Sequence, residues 1–305
     1  MSSTIDSTEP DEIALIDDEA AALDITGRRL PVHRTQEAEH GVSALVWGEH
    51  PDAVFLHGGG LNAHTWDATL LALHIAAVAL DLPGHGHSAW RDDADYRSTI
   101  NARTIGPVVA DILGGRRVPV VGQSLGGSTG IALAADRPDL VSALVLVDVS
   151  PGLRPGDAAQ VRDFLAGPVD FASRDEIVER ALAAGIGSDG AALARGVALN
   201  TRVRDDGRVV FRHHLAGRPQ NAVDTTAEFA SLWQPLEALD VPVLLVRGRT
   251  GFLSDDVVAE FRDRLPRAQV IEVDTGHNVQ EQRPLELAEI LRTFFAGVEG
   301  TSTDE

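Results

Sequence analysis

The stretch VPVVGQSLGG, Val118 to Gly127, runs from strand-forming residues directly into a serine flanked by glycines. An apolar strand, then G-x-S-x-G, then a helix is the pattern of a nucleophile elbow, a tight turn that exposes a serine hydroxyl above a sheet. The positions two residues before and after that serine must be small, and Gly122 and Gly126 meet this condition. The stretch predicts Ser124 as a nucleophile, although a plain glycine-rich loop has the same composition.

Composition restricts the chemistry that the chain can perform. Its 305 residues are 44% hydrophobic and include no cysteine, which excludes disulfides, thiolate metal sites and a cysteine nucleophile. The net charge is -20 and every basic residue is arginine, so nucleic acid and anionic membrane surfaces are not expected partners. No apolar run has the length that a bilayer requires, and the acidic start of the chain does not resemble a secretory signal. These features predict a cytoplasmic protein.

Short runs of Val, Leu and Ile alternate with helical segments along most of the chain. Such runs are typical of strands that are buried on both faces, so we predict an α/β fold with a mostly parallel sheet and helices on each side. The predicted strands lie within 42–48, 53–60, 75–84, 118–124, 143–152, 241–248 and 269–277.

The domain organisation follows from where this alternation stops. Between Leu153 and about Leu239 the segments are mainly helical, and we interpret them as a cap over the carboxyl ends of the strands. We therefore predict an acidic N-terminal tail at 1–27, a core at 28–152 and 240–299, a mainly helical cap at 153–239 and a C-terminal tail at 300–305. The N-terminal tail, or a short surface helix within it from Asp11 to Leu23, is assigned no chemistry.

An activated serine needs a base and a site that stabilises an anion. His277 follows the last predicted strand, so it is expected at the same sheet edge as Ser124. The run from His57 to Gly60 lacks side chains after its histidine. It can therefore bring a backbone amide, best that of Gly59, close to a carbonyl oxygen, with the amide of Leu125 as the second donor.

Four motifs in this order resemble the α/β-hydrolase superfamily: HGG at 57–59, DLPGHGHS at 81–88, GQSLG at 122–126 and GH at 276–277. The resemblance extends from about Val42 to Phe295, including the cap. It implies an eight-stranded sheet, a cap inserted after the sixth strand, and a Ser-Asp-His triad.

The triad acid departs from the pattern of most relatives, in which it follows the seventh strand. Here Gly248 is followed by RTGFLS, which contains no carboxylate. Asp148, at the end of the sixth strand, resembles the alternative placement that some members use and is our candidate acid. Asp255 and Asp256 are the rivals, but they stand in the first turn of a predicted helix, where acids commonly complement the helix dipole.

Two other patterns are set aside. GHGHSA at 84–89 fits a dinucleotide fingerprint, but it leads into WRDDADYRS instead of a helix, so we predict no nucleotide cofactor. Its two histidines lack a third ligand nearby, so we predict a structural turn and no metal.

The expected activity is hydrolysis of a small to medium, mostly neutral carboxylic ester or lactone, with a small molecule as the only expected partner and no evident arginine clamp in the pocket. Hydrolysis of a carbon-carbon bond in a diketone uses the same residues and is the main alternative. A non-catalytic receptor and an acyltransferase, lyase or oxygenase on the same scaffold are further alternatives. Six aromatic residues are candidates for an apolar pocket wall: Trp66, Trp90, Phe164, Phe171, Trp233 and Phe252. The oligomeric state has no signature in the sequence.

Overall fold

In the computed structural model, the described residues are 10–25, 27, 29–154, 156–157, 159–186, 190–216 and 225–301. The strands of the main sheet are β1 (Val32–Glu37), β2 (Val42–Trp47), β3 (Val54–Leu56), β4 (Ala77–Asp81), β5 (Val118–Gln123), β6 (Val141–Val147), β10 (Val243–Gly248) and β11 (Gln269–Val273). Three shorter strands lie between β6 and β10: β7 (Asp170–Phe171), β8 (Thr201–Val203) and β9 (Val209–Phe211).

Twelve α-helices occur in the described part of the chain. They are α1 (Glu12–Ala22), α2 (Asp67–Leu73), α3 (Ser98–Leu113), α4 (Leu125–Asp136), α5 (Ala159–Leu165), α6 (Arg174–Ala183), α7 (Gly190–Asn200), α8 (Thr225–Ser231), α9 (Trp233–Glu237), α10 (Asp255–Arg264), α11 (Val279–Gln282) and α12 (Pro284–Thr301). None of the helices in these ranges is long and apolar enough to span a bilayer.

The main sheet has the order β1-β2-β4-β3-β5-β6-β10-β11. In this order, the pairs from β4 to β11 are parallel, and the pairs β1-β2 and β2-β4 are antiparallel. The prediction of an α/β-hydrolase fold with a mostly parallel sheet is confirmed. Because β5, β6, β10 and β11 are parallel neighbours, they all end at the same edge of the sheet, where the loops that follow them meet.

Each face of the sheet is covered by its own hydrophobic cluster. Leu56, Leu144 and Leu245 belong to one cluster, with side chains of α3, α4, α9 and α10. Phe55, Val145 and Leu244, the neighbouring positions along the same strands, belong to the other, with side chains of α1, α2, α11 and α12. Successive strand residues therefore face opposite clusters, which explains the unbroken apolar runs in the sequence.

The segment between β6 and β10 has a core of its own. In addition to helices α5 to α9 it contains a three-stranded antiparallel sheet in the order β7-β9-β8, which the mainly helical prediction omitted. Phe171, Ile177 and Phe211 pack together in this part, apart from the main clusters. It reaches the loop after β3, where the Asn62 side-chain amide donates to the carbonyl of Leu199 at 3.0 Å.

Two parts of the chain differ from the sequence-based expectation. β1 was not predicted, because this edge strand, VHRTQE, has few apolar residues and one antiparallel neighbour. For the N-terminal segment, expected as a tail over 1–27 or a short surface helix from Asp11 to Leu23, the helix is present as α1. It does not lie only on the surface, because its Ile16 is fully buried in the cluster of α2 and α12. At the other end α12 continues to Thr301, and residues 302–305 lie outside the described part.

Candidate active site

Ser124 stands between β5 and α4 in a strained conformation. Its φ of 51° and ψ of -117° are unusual for a residue with a side chain. A Cβ at Gly122 would lie 2.4 Å from the carbonyl carbon of Gly126, and one at Gly126 would lie 2.1 Å from the carbonyl oxygen of Leu56. The backbone segments are therefore too close for side chains at these positions, and the turn requires both glycines.

The ring of His277, on the loop after β11, is held from two sides. Nδ1 lies 2.8 Å from Oδ2 of Asp148, and Phe252 stacks on the ring face with centroids 3.7 Å apart. A carboxylate beside Nδ1 favours the tautomer that carries the proton on this nitrogen. Nε2 is then left as the acceptor, which is the state that a general base requires.

Asp148 is fully buried at the end of β6, and its carboxylate is surrounded by the loop after β10. Oδ1 accepts from the amide of Gly248 at 3.0 Å, and Oδ2 accepts from the amide of Phe252 at 2.8 Å. A Cβ at Gly251 would lie 2.2 Å from Oδ2, so only glycine permits this approach. In most relatives the loop after this strand contains the triad acid. In this chain the same loop instead donates backbone N–H groups to Asp148 at the end of the neighbouring strand β6.

The rival carboxylates lie elsewhere. The side chain of Asp255 is 92% exposed and pairs with Arg247 at 2.7 Å. Asp256 is also exposed, in the first turn of α10, whose N-terminus is capped by Ser254. In the described part of the chain the structure brings Asp148 to His277 and neither of these two residues.

Gln123, the residue before Ser124, occupies the other nitrogen of the histidine. Its Nε2 lies 2.9 Å from Nε2 of His277 and 3.4 Å from Oδ1 of Asn278, and the side chain is almost completely buried. These acceptors set the orientation of the amide group. Among the described residues, no hydrogen bond reaches Oγ of Ser124. Gln123 has no signal of its own in the sequence, because the G-x-S-x-G pattern leaves its position unspecified.

The two candidate oxyanion donors have free amides. Within the described ranges, neither Gly59 nor Leu125 donates its backbone N–H to another protein group. His57 holds the loop: one ring nitrogen contacts the carbonyl of Gly58 at 2.7 Å, and the other accepts from the amide of Leu82 at 2.9 Å. Burial lowers the pKa of His57, which keeps the ring neutral in this role.

A cavity of about 430 Å³ lies beside these groups, between the main sheet's loops and helices α5, α6 and α7. Gly60 and Asn278, the neighbours of Gly59 and His277, are part of its wall. The opposite wall is mostly apolar and includes Phe164, Leu193 and Phe211. This volume is in the range of small-molecule sites.

The aromatic candidates divide between this region and the core. Phe164 lines the cavity and Phe252 stacks on His277. Trp66, Phe171 and Trp233 are buried in hydrophobic clusters. Trp90 is 46% exposed and stacks on His214 with ring centroids 4.4 Å apart.

One group of potential metal ligands occurs in the described residues, formed by Glu37, Glu39 and His40. The carboxylate of Glu37 already accepts from the amides of both other residues and contacts Nδ1 of His40 at 3.0 Å. This arrangement is a turn after β1, distant in the sheet from Ser124.

Comparisons with known proteins agree with the geometry. The sequence model of the alpha/beta hydrolase family matches residues 53–290. The chain is 40% identical to esterase Rv0045c of Mycobacterium tuberculosis, over 96% of this chain and 98% of that protein. A solved structure of that esterase superposes with a TM-score of 0.82 at 39% identity, covering 95% of this chain and all of the other.

A second relative is the pimeloyl-[acyl-carrier protein] methyl ester esterase of Aeromonas salmonicida, which is 30% identical over 83% of this chain and 98% of its own length. The elbow at Ser124, the sheet order and these matches agree with the resemblance found in the sequence motifs. The chain belongs to the alpha/beta hydrolase family.

Proposed function

We propose that the chain is a carboxylic ester hydrolase that forms an acyl-enzyme on Ser124. The observation that carries the proposal is the placement of His277, with Nδ1 on the buried carboxylate of Asp148 and Nε2 on the side-chain amide of Gln123, the residue before Ser124. The 40% identity to a protein named an esterase supports the same reaction class. Residues 153–239 serve as the cap in this proposal.

In the first half-reaction His277 takes the proton of Ser124 as Oγ adds to the ester carbonyl. The amides of Gly59 and Leu125 donate to the oxyanion, and His277 then protonates the departing alcohol. In the second half-reaction His277 removes a proton from water, which attacks the acyl-enzyme and releases the acid. Asp148 keeps the proton on Nδ1 and compensates the positive charge that the ring acquires in each step.

Gln123 has to leave Nε2 of His277 before this sequence can begin, because one lone pair cannot serve both groups. The hydrogen bond to be exchanged is a neutral one, worth about 1 kcal/mol. The ring remains in place during the exchange, since Asp148 and Phe252 hold it independently.

The substrate class follows from the cavity and the charge of the chain. The apolar side chains of Phe164, Leu193 and Phe211 in the cavity wall and a net charge of -20 favour a small to medium, neutral ester or lactone as the small-molecule partner. A cytoplasmic location belongs to the same proposal.

A fluorophosphonate probe tests the nucleophile directly. We expect covalent labelling of the wild-type chain at Ser124, identified by peptide mass spectrometry, and none in Ser124→Ala. With p-nitrophenyl esters, Ser124→Ala should lose several orders of magnitude in kcat/KM while its thermal unfolding is unchanged.

Ser128, on the same helix and buried, provides the matched control. Ser128→Ala should keep its labelling, because its hydroxyl bonds to the carbonyl of Leu125 and does not face His277. Absence of labelling in the wild-type chain would favour a receptor, and turnover of a diketone series instead of esters would favour carbon-carbon hydrolysis.

A further inference from the structure

Two arginines line the cavity: Arg283, which is exposed at its rim, and Arg195. Arg195 on α7 contributes to the wall, and its side chain is only 17% exposed. A partly buried guanidinium in a substrate cavity would ordinarily bind a carboxylate of the ligand. What the cavity accepts therefore depends on the groups that already surround Arg195.

Two carboxylates of the chain surround this guanidinium. Nη2 of Arg195 lies 2.6 Å from Oδ2 of the fully buried Asp67, at the start of α2. Nε lies 3.3 Å from Oε2 of Glu19 and 3.2 Å from the carbonyl oxygen of Leu15, both on α1. Glu19 also lines the cavity.

Helix α1 is itself fixed to the core, so Glu19 is held where it is. Glu12 pairs with Arg34 on β1 at 2.7 Å and contacts Nε2 of His64 at 3.1 Å. Ile16, on the same helix, is fully buried between these contacts. The segment that carries Glu19 is therefore a structural part of the cavity wall, although it lies outside residues 53–290, the range matched by the family.

We propose that Glu19 of the N-terminal helix is a specificity-determining residue of the hydrolase. Together with Asp67 it neutralises Arg195, so that the cavity accepts an uncharged group of the ester and rejects a carboxylate. This role of Glu19 rests on the proposed function, the hydrolysis of an ester. It adds which acyl or alcohol groups of that ester the cavity accepts. Glu19 acts by its charge at the wall and takes no part in bond making.

The consequence is a change of selectivity when the charge is removed. In Glu19→Gln, Arg195 keeps its ion pair with the buried Asp67, and Glu281 in the cavity wall remains within its electrostatic range. A carboxylate of the substrate then loses a repulsive neighbour and gains a less compensated guanidinium. We expect the ratio of kcat/KM for a carboxylate-bearing ester to that for its neutral counterpart to rise about tenfold.

Two substrate pairs cover both parts of the ester. For the acyl side, mono-p-nitrophenyl adipate is compared with p-nitrophenyl hexanoate. For the alcohol side, the acetate ester of 6-hydroxyhexanoate is compared with hexyl acetate. A rise of the ratio in one pair supports the proposal and identifies which part of the ester occupies the cavity. An unchanged ratio in both pairs overturns it.

Asp17→Asn is the matched control, because it removes the same charge from the same helix. Asp17 is 61% exposed and pairs with Arg29 at 2.5 Å, away from the cavity wall. This variant should leave both ratios unchanged.

Arg195→Gln should change the selectivity in the opposite direction, because it removes the positive charge beside Glu19 while Asp67 keeps its pair with His64 at 2.8 Å. The ratio should fall below the wild-type value for the pair that responds to Glu19→Gln. If the wild-type chain hydrolyses none of these esters and is not labelled by the phosphonate, the proposed function fails. If it hydrolyses them and only the ratios fail to change, the role of Glu19 fails alone.

Discussion

Asp148→Asn separates the two roles of the candidate acid, which are to orient the imidazole and to compensate its charge. The two carboxylate oxygens accept three hydrogen bonds: Oδ1 from Gly248, and Oδ2 from Phe252 and His277. A carboxamide has one acceptor oxygen, and it satisfies two of the three donors by facing Phe252 and His277. We therefore expect the introduced NH2 group to face the amide of Gly248, so that the tautomer of His277 is retained.

The magnitude follows from this geometry. The substitution removes the negative charge next to a ring that becomes positive in each step, at a fully buried position. Loss of one partner from a buried ion pair costs about 3 to 5 kcal/mol. Because 1.4 kcal/mol is a factor of ten, kcat/KM should fall by about two to four orders of magnitude. The introduced NH2 group and the backbone N–H of Gly248 are both donors and would face each other. This mismatch should also lower the free energy of unfolding by roughly 1 to 3 kcal/mol.

The assay is steady-state hydrolysis of a p-nitrophenyl ester, with urea unfolding for stability and nitrogen-15 NMR for the tautomer of His277. Asp255→Asn and Asp256→Asn are the matched controls and should stay within about twofold of wild type. The reasoning is refuted if Asp148→Asn keeps wild-type activity, or if one of the two controls loses activity instead. A shift of the His277 proton to Nε2 would show that the carboxamide adopts the other orientation.

Three further substitutions have defined expectations. Gly58→Ala places a Cβ 2.0 Å from Oε1 of Gln123 and 3.4 Å from Cβ of Ser124, so ester hydrolysis should fall at least about tenfold with the protein still folded by circular dichroism. Gln123→Leu removes the donor on Nε2 of His277, and phosphonate labelling should become a few-fold faster, because about 1 kcal/mol of competing hydrogen bond is lost; slower labelling would mean that Gln123 positions the ring. Burial of His64 opposes its charge, but Asp67 and Glu12 outweigh this and raise its pKa from 6.5 to about 9. The stabilisation by charged His64 is complete below pH 6.5 and is lost as the pH rises through 9. The free energy of unfolding in urea should therefore be roughly 3 kcal/mol lower at pH 9.5 than at pH 6, and His64→Gln should not show this difference.

Much of the fold could be predicted from short-range patterns. Apolar runs indicate buried parallel strands because a strand covered on both faces has no polar side. The turn at Ser124 is predictable because Gly122, Ser124 and Gly126 meet one another within five residues. β1 was missed since an exposed edge strand lacks that apolar signal, and the small sheet of β7, β8 and β9 has only two or three residues in each strand.

The candidate site was predictable only where a residue stands at a strand's end. Ser124, His277 and Asp148 each follow a strand of one parallel sheet, so their meeting at one edge follows from the fold class. Gln123 and Phe252 have no such signal, because a buried amide and an aromatic ring are equally common in ordinary cores. Glu19 and Arg195 also look like surface charges in the sequence.

The sequence by itself determined the fold class, the strained serine and the candidates for its base and acid, since these depend on neighbours along the chain and on the common direction of parallel strands. Only the tertiary structure decided which groups touch. Asp148 and His277 are 129 residues apart, and their contact depends on β10 lying between their strands. Helix α1 reaches the cavity because Ile16 is buried against the core, which brings Glu19 to a cap helix far along the chain. Such contacts result from packing. The burial of apolar surface brings together charged residues whose proximity no local sequence pattern predicts.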